Sequence, residues 1–108
     1  MIVVNRFRVQ EQAAEAFRRD VHAALDALAQ RPGYVDGRVG RNVDDPALWV
    51  LTTTWAGVGS YRRALSSYDV KLTAVPLLSQ AIDEPSAYET VEAGADQELN
   101  ESVPRDIG

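Results

Sequence analysis

Asn5 is the polar residue that is hardest to explain as ordinary structure, because it interrupts a segment, 2–9, that is mostly apolar and β-branched. Such a segment predicts a strand, in which asparagine is unfavoured. Since side chains alternate along a strand, Asn5 shares a face with Val3 and Phe7. A buried amide costs about 1–3 kcal/mol unless it finds hydrogen-bond partners. Asn5 is therefore either a structural amide bonded to the backbone or an amide that points into a ligand cavity.

Aromatic residues supply the second group of candidates. Trp55 ends the third predicted strand, and Tyr61 begins the helix that follows it. Together with Trp49 and Tyr68, these rings could line an aromatic cavity. Ordinary core packing is the alternative for each of them, because large rings are buried for their apolar area alone.

The sequence gives little support for a metal site or a nucleotide-binding site. There is no cysteine and only one histidine, His22, so no metal site is predicted. His22 is either an exposed residue on the flank of a helix or a proton shuttle at the mouth of a pocket. The glycines at 57 and 59 precede a helix, but they lack the lysine of a phosphate-binding loop and the third glycine of a dinucleotide site. We therefore predict no cofactor.

Composition narrows the range of partners. The net charge is −5, and the acidic excess is concentrated in a segment without periodicity, 93–108. An acidic chain of this kind is a poor candidate for binding nucleic acid or an anionic membrane. No stretch approaches the ~20 apolar residues that a membrane span needs. The absence of cysteine fits a cytoplasmic protein.

The predicted elements follow the order β-α-β-β-α-β, which is typical of a ferredoxin-like α+β fold with a four-stranded antiparallel sheet and its helices on one face. Residues 1–92 form this single domain, and 93–108 form an acidic tail. The segments that carry the order are strands at 2–9, 34–43, 48–55 and 87–91, and helices at 11–30, 61–66 and 70–82.

Both faces of the predicted sheet carry large apolar side chains. In the first strand, Val3 and Phe7 point one way while Ile2 and Val4 point the other. The third strand repeats this pattern, with Trp49, Leu51 and Trp55 opposed to Leu48 and Val50. The helices can cover only one face, so the other would be an exposed apolar patch too large for a monomer. We therefore predict a symmetric homodimer in which the two sheets pack face to face.

The chain resembles the antibiotic-biosynthesis monooxygenase family over about residues 2–92. The resemblance is carried by VVNRFRV at the start, by PGYVDGRVGR, and by LWVLTTTWAGVGSYRRALSSYDVKLTAVPLL. It implies a dimeric α+β barrel with a pocket between the sheet and the helices of each subunit. Some members oxidise polyketide phenols with O₂ and use neither a metal nor an organic cofactor, whereas others degrade haem.

Residue by residue, the resemblance is a mosaic of two kinds of site. Trp55 and Tyr61 match the strand-end tryptophan and helix-start tyrosine of the polyketide-oxidising members. The strand-three asparagine of those members falls at Leu51, and their helical arginine falls near Thr73, so neither is matched here.

The haem-degrading members share the strand-one asparagine, which corresponds to Asn5. Their helical tryptophan falls near Ala64, and their haem-ligating histidine falls near Ala74 or Val75. Without that histidine the iron has no axial ligand. Haem degradation is therefore disfavoured.

The resemblance implies an O₂-dependent monooxygenase that acts on a bulky, electron-rich aromatic, such as a polyketide-like phenol or a quinol. Asn5 and Trp55 would orient the substrate, and Tyr61 would donate a hydrogen bond to it. The residues expected to contact the substrate elsewhere are Phe7, Trp49, Tyr68 and His22. Two alternatives stay open: a non-redox ligand-binding or cyclase-like module on the same dimer, and a purely structural dimer with a closed core.

Overall fold

The computed structural model describes residues 1–94. The predicted helix at 11–30 is a 3₁₀ turn, Glu11–Ala13, followed by the first α-helix, and the predicted helix at 70–82 is two short helices. The second of these has Pro76 in its first turn, where a missing backbone N–H is tolerated. The elements are β1 (Ile2–Arg8), α1 (Ala14–Ala29), β2 (Tyr34–Arg41), β3 (Leu48–Trp55), α2 (Val58–Leu65), α3 (Tyr68–Thr73), α4 (Val75–Leu78) and β4 (Ala87–Tyr88).

The four strands form one antiparallel sheet in the order β2-β3-β1-β4. This is the ferredoxin-like arrangement, so the predicted fold class is confirmed. The central pair is β1 and β3, in which Asn5 lies opposite Leu51 and Phe7 lies opposite Trp49. Of the predicted tail, residues 95–108 lie outside the described part of the chain.

The core lies between the sheet and the helices, and α1 contributes a buried stripe to it. On the helix-facing side of the sheet, Val3, Phe7, Leu51 and Trp55 are almost completely buried, as the alternation of their strands predicted. The buried stripe of α1 that packs against them contains Val21, Ala24 and Leu28, at the three- and four-residue spacing of one helix face.

The opposite side of the sheet has a half-buried apolar centre made of Ile2, Val4, Leu48 and Val50. We call this surface the open face. On it the Arg6 guanidinium donates two hydrogen bonds to the Glu84 carboxylate, at 2.7 and 2.6 Å. The open face therefore combines apolar and charged side chains.

Three valines of the predicted strand at 34–43 differ in their burial. In a regular strand Val35, Val39 and Val43 would share one face, because side chains alternate. Val39 packs against the core, but Val35 is 61% exposed and Val43 is 96% exposed. The pairing register shifts between Tyr34 and Asp36, which reverses the alternation before Val39. Val43 lies beyond the end of the strand, which stops at Arg41.

Within residues 1–94, no helix is long and apolar enough to cross a membrane. The cytoplasmic location stays a prediction.

Candidate functional site

A cavity of about 530 Å³ opens beside the end of β1, between that strand, α1 and the α3–α4 segment. Its volume is in the range typical of small-molecule sites, ~300–1,000 Å³. The strand and the chain just after it contribute Phe7, Arg8, Val9 and Gln10 to the wall. The helices contribute Ala13, Ala16, Phe17, Asp20, Ala23, Thr73, Pro76, Leu77 and Gln80.

The alanines at the start of the helical wall create the space for this cavity. Ala13, Ala16 and Ala23 lie three or seven residues apart, so they share one side of α1 and its preceding turn. This side adjoins the buried stripe that contains Val21. A methyl side chain leaves room where a leucine would fill the gap between helix and strand. The cavity therefore depends on small residues along one helix face.

The apolar wall of the cavity is an aromatic cluster that we call the cavity cluster: Phe7, Phe17 and Trp49. The ring centroids of Phe7 and Phe17 are 5.1 Å apart. Phe17 contacts Trp49 edge-on at 5.3 Å, so Trp49 lies one layer behind the wall. The guanidinium of Arg41 lies 5.2 Å above the Trp49 ring. The indole N–H of Trp49 is buried and has no hydrogen-bond partner among the described residues.

Polar side chains border the cavity: Gln10, Asp20, Thr73 and Gln80 are all exposed. Arg8 also contributes to the wall, and its guanidinium donates to the Asp45 carboxylate at 2.8 Å. A ligand that fills this site would therefore meet aromatic rings inside and hydrogen-bonding groups at the entrance.

A second aromatic cluster occupies the other end of β3, and we call it the closed cluster: Tyr34, Trp55 and Tyr61. Trp55 is 1% exposed and contacts both tyrosines at centroid distances of 5.5 Å. Its indole N–H donates a 2.8 Å hydrogen bond to the buried Thr53 hydroxyl. Burial raises the pKa of the Tyr61 phenol, so its hydroxyl stays protonated further into the alkaline range than that of an exposed tyrosine. The structure thus brings two predicted catalytic residues into contact.

Asn5 lies between Val3 and Phe7 along the helix-facing side of β1. Its neighbours on that face are almost completely buried, whereas Asn5 keeps partial exposure. Its side-chain amide forms no hydrogen bond with any residue in 1–94. An amide in this position is available to a ligand, although it lies outside the walls of the 530 Å³ cavity.

The other predicted contact residues differ in their environments. Phe7 lines the cavity, and Trp49 supports the cavity wall from behind. Tyr68 is 75% exposed at the start of α3. His22 is also exposed, and its Nδ1 lies 2.8 Å from the Arg18 carbonyl oxygen one helical turn earlier. The functional roles of these side chains stay predictions.

Two cavity residues, Phe17 and Asp20, were not recognised as site residues from the sequence. Phe17 packs against the core from α1, and its ring also reaches the cavity. Asp20 belongs to the second stripe, marked by Ala13, Ala16 and Ala23. A run of alanines at helical spacing with one acidic residue among them was the available signal.

The described residues contain no group of three or more His, Asp or Glu side chains that could hold a metal ion. The predicted absence of a cofactor stays a prediction.

The fold and the cavity define a ferredoxin-like α+β domain with a pocket between its sheet and its helices. The model of the antibiotic biosynthesis monooxygenase family matches residues 1–74. The chain belongs to this family.

Among solved structures, the chain is similar to SnoaB, a cofactor-independent oxygenase from Streptomyces nogalater. The identity is 25% and the TM-score 0.70, over 89% of this chain and 96% of SnoaB. A variant of SnoaB with an asparagine replaced by alanine is 27% identical, with a TM-score of 0.65, over 93% of this chain and 96% of that one. A conserved protein from Methanosarcina mazei is 21% identical, with a TM-score of 0.65, over 80% of this chain and 84% of that one. No curated protein matches the chain significantly.

Proposed function

We propose that this protein is a cofactor-independent monooxygenase that oxidises a bulky, electron-rich aromatic substrate with O₂. The observation that carries the proposal is the cavity beside β1, in which the rings of Phe7 and Phe17 form an aromatic wall next to small alanine side chains of α1. Such a site suits a flat ring system. Family membership and the similarity to a cofactor-independent oxygenase support the reaction type.

The chemistry requires that the substrate supplies the electrons. A methylene group conjugated with a ring ketone, as in a hydroxylated anthrone, can lose a proton to give an electron-rich enolate, which reacts with O₂. One oxygen atom then becomes the carbonyl of the product and the other leaves as water, so the methylene carbon supplies four electrons. The protein has to orient the ring, stabilise the negative oxygen of the enolate and exclude water from the reacting carbon.

Asn5 is our candidate for stabilising that oxygen in a substrate that extends from the cavity along β1, past Phe7. Its amide lies on the helix-facing side of the sheet and has no hydrogen-bond partner within residues 1–94, so no bond has to break before it donates to a ligand. Tyr61 is the second candidate donor, for a substrate that reaches the closed cluster, because its phenol is protonated at neutral pH and its raised pKa extends this further into the alkaline range. The indole N–H of Trp55 is already bonded to Thr53, so we propose that Trp55 acts through its ring, by holding Tyr61.

Phe7 is the proposed contact for the substrate ring, and Trp49 supports it through Phe17. Tyr68 and His22 are exposed and lie outside the cavity walls. A substrate that extends beyond the cavity would be needed to reach them.

We also propose that the open face is buried in a symmetric homodimer. Its centre is a patch of aliphatic side chains, Ile2, Val4, Leu48 and Val50, that the chain's own helices leave uncovered. A second copy related by a twofold axis would cover this patch with the same patch. Light scattering in dilute buffer tests this, and a mass near 11.8 kDa would contradict the dimer.

The enzymatic proposal is tested by oxygen uptake with a panel of hydroxylated anthrones and naphthols. We expect consumption of O₂ and formation of the corresponding quinone with the wild type. Asn5→Ala should lower the rate by about 10²-fold, the usual loss when one donor to a developing oxyanion is removed. Equal rates for the wild type and Asn5→Ala would remove Asn5 from the mechanism. The absence of turnover on every substrate would contradict the oxygenase function.

A non-redox binding or cyclase-like function on the same dimer is the second candidate. It is favoured by one observation: Asn5, Trp55 and Tyr61 lie outside the cavity walls, so the cavity can bind a ring without engaging them. Tight binding of the panel compounds, with the ligand recovered unchanged under air, would support this function.

A further inference from the structure

Asp20 is the charged side chain of the cavity wall for which the structure offers no counterion. The other charged wall residue, Arg8, is held by Asp45 at 2.8 Å. Asp20 forms no ion pair with any residue in 1–94. It stands on α1 between Ala16 and Ala23, whose methyl groups cannot screen it from a ligand in the cavity.

The position of this carboxylate is set by the helix. Phe17 precedes Asp20 by three residues on the same side of α1, so the carboxylate and the aromatic wall face the same space. A ring that contacts Phe17 would present its edge substituents toward Asp20. An ionised carboxylate accepts hydrogen bonds but cannot donate them, and it repels other carboxylates.

We propose that Asp20 is a specificity-determining residue that selects ring substrates with a hydroxyl or amine donor and rejects ring substrates with a carboxylate at that edge. This inference rests on the proposed function, because it assumes that an aromatic ring occupies the cavity. It concerns recognition alone and assigns Asp20 no part in the oxidation.

A matched pair of ligands tests both parts of this proposal, the preference for a hydroxyl donor and the rejection of a carboxylate. A naphthalenediol and a naphthoate have the same ring system but differ in the charge at the edge. Their dissociation constants should be measured by calorimetry under argon, so that no turnover occurs. The proteins are the wild type, Asp20→Asn and the control Asp26→Asn, which removes a second exposed carboxylate from α1 outside the cavity walls.

We expect the wild type to bind the diol more tightly than the naphthoate. Asp20→Asn should strengthen naphthoate binding by about fivefold or more, a modest change because the cavity is open to solvent and charges there are screened. The same variant should weaken diol binding, since an amide oxygen is a poorer acceptor than a carboxylate. Asp26→Asn should leave both constants unchanged.

The possible failures are distinguishable. If both ligands bind but Asp20→Asn leaves their ratio unchanged, or if Asp26→Asn changes it equally, the role of Asp20 is overturned while the proposed function stands. If the wild type binds neither ring, the aromatic site fails, and the proposed function and this inference are overturned together.

Discussion

The two ends of β3 carry the same kind of residue in opposite situations. Trp49 and Trp55 lie on the same face of one strand, and each belongs to a cluster of three aromatic rings. The closed cluster around Trp55 fills its space with the rings of Tyr34 and Tyr61. The cavity cluster around Trp49 is bordered by the alanines of α1, and an opening remains. Aromatic residues therefore do not mark a binding site here unless small residues face them.

The closed cluster and the cavity cluster also differ in their hydrogen bonding. The indole N–H of Trp55 is bonded to Thr53, whereas that of Trp49 is buried without a partner within residues 1–94. A buried N–H without a hydrogen-bond partner costs about 1–3 kcal/mol. The closed cluster thus contributes to stability, and the cavity cluster gives up some stability beside the cavity. Such a loss is common where a fold accommodates function.

The largest effect is expected from a matched pair of substitutions, Trp55→Phe and Trp49→Phe. Both remove the same atoms, but the first breaks the bond to Thr53 and leaves a buried hydroxyl without its donor, while the second removes an N–H that had no partner. Trp55→Phe should therefore lower the free energy of unfolding by about 2 kcal/mol more than Trp49→Phe. Urea denaturation of the two variants measures this difference. Equal losses would mean that the two indoles are equivalent.

The next effect is on ligand binding. Ala16→Leu places a larger side chain in the cavity wall without touching the closed cluster. We expect it to weaken binding of a naphthalenediol by about tenfold, or about 1.4 kcal/mol. Ala29→Leu, at the end of α1 and outside the cavity walls, is the control. Calorimetry measures the affinity of both variants for the diol. Similar affinities would mean that the ligand binds outside this cavity.

The smallest effect is expected at alkaline pH, because only the closed cluster contains phenols. Burial raises the pKa values of Tyr34 and Tyr61 above their ordinary value of 10.0. As the pH rises past that value, the unfolded chain releases these protons before the folded chain does, so stability is complete below pH 10 and falls above it.

Tyr61→Phe should therefore lose less stability than the wild type as the pH rises above 10.0, the ordinary pKa of the phenol. Thermal unfolding at a series of pH values measures this. Tyr68→Phe is the control, because Tyr68 is exposed on α3. If the stability of the wild type and of Tyr61→Phe fell equally with rising pH, the burial of this phenol would be contradicted.

Several features of the site could be predicted from local patterns in the sequence. Alternation along β1 and β3 correctly grouped Phe7 with Val3, and Trp49 with Trp55, and both pairs are buried. Trp55 and Tyr61 were expected to line a cavity, whereas their rings pack against each other. Tyr68 was harder to place: its ring suggested a cavity, yet it lies at the first position of α3 and is 75% exposed. Which side of a short helix meets the core depends on the neighbouring helices, and these are distant in sequence.

The order of elements, the fold class and the two-sided character of the sheet follow from periodicity in the chain, because strand and helix spacing are local properties. The cavity does not, since it arises where β1, α1 and α4 approach without filling the space between them. Phe7, Asp20 and Leu77 are far apart in the chain and share a wall only after folding. A void is a property of the packing of distant segments, so only the tertiary structure decides where one remains.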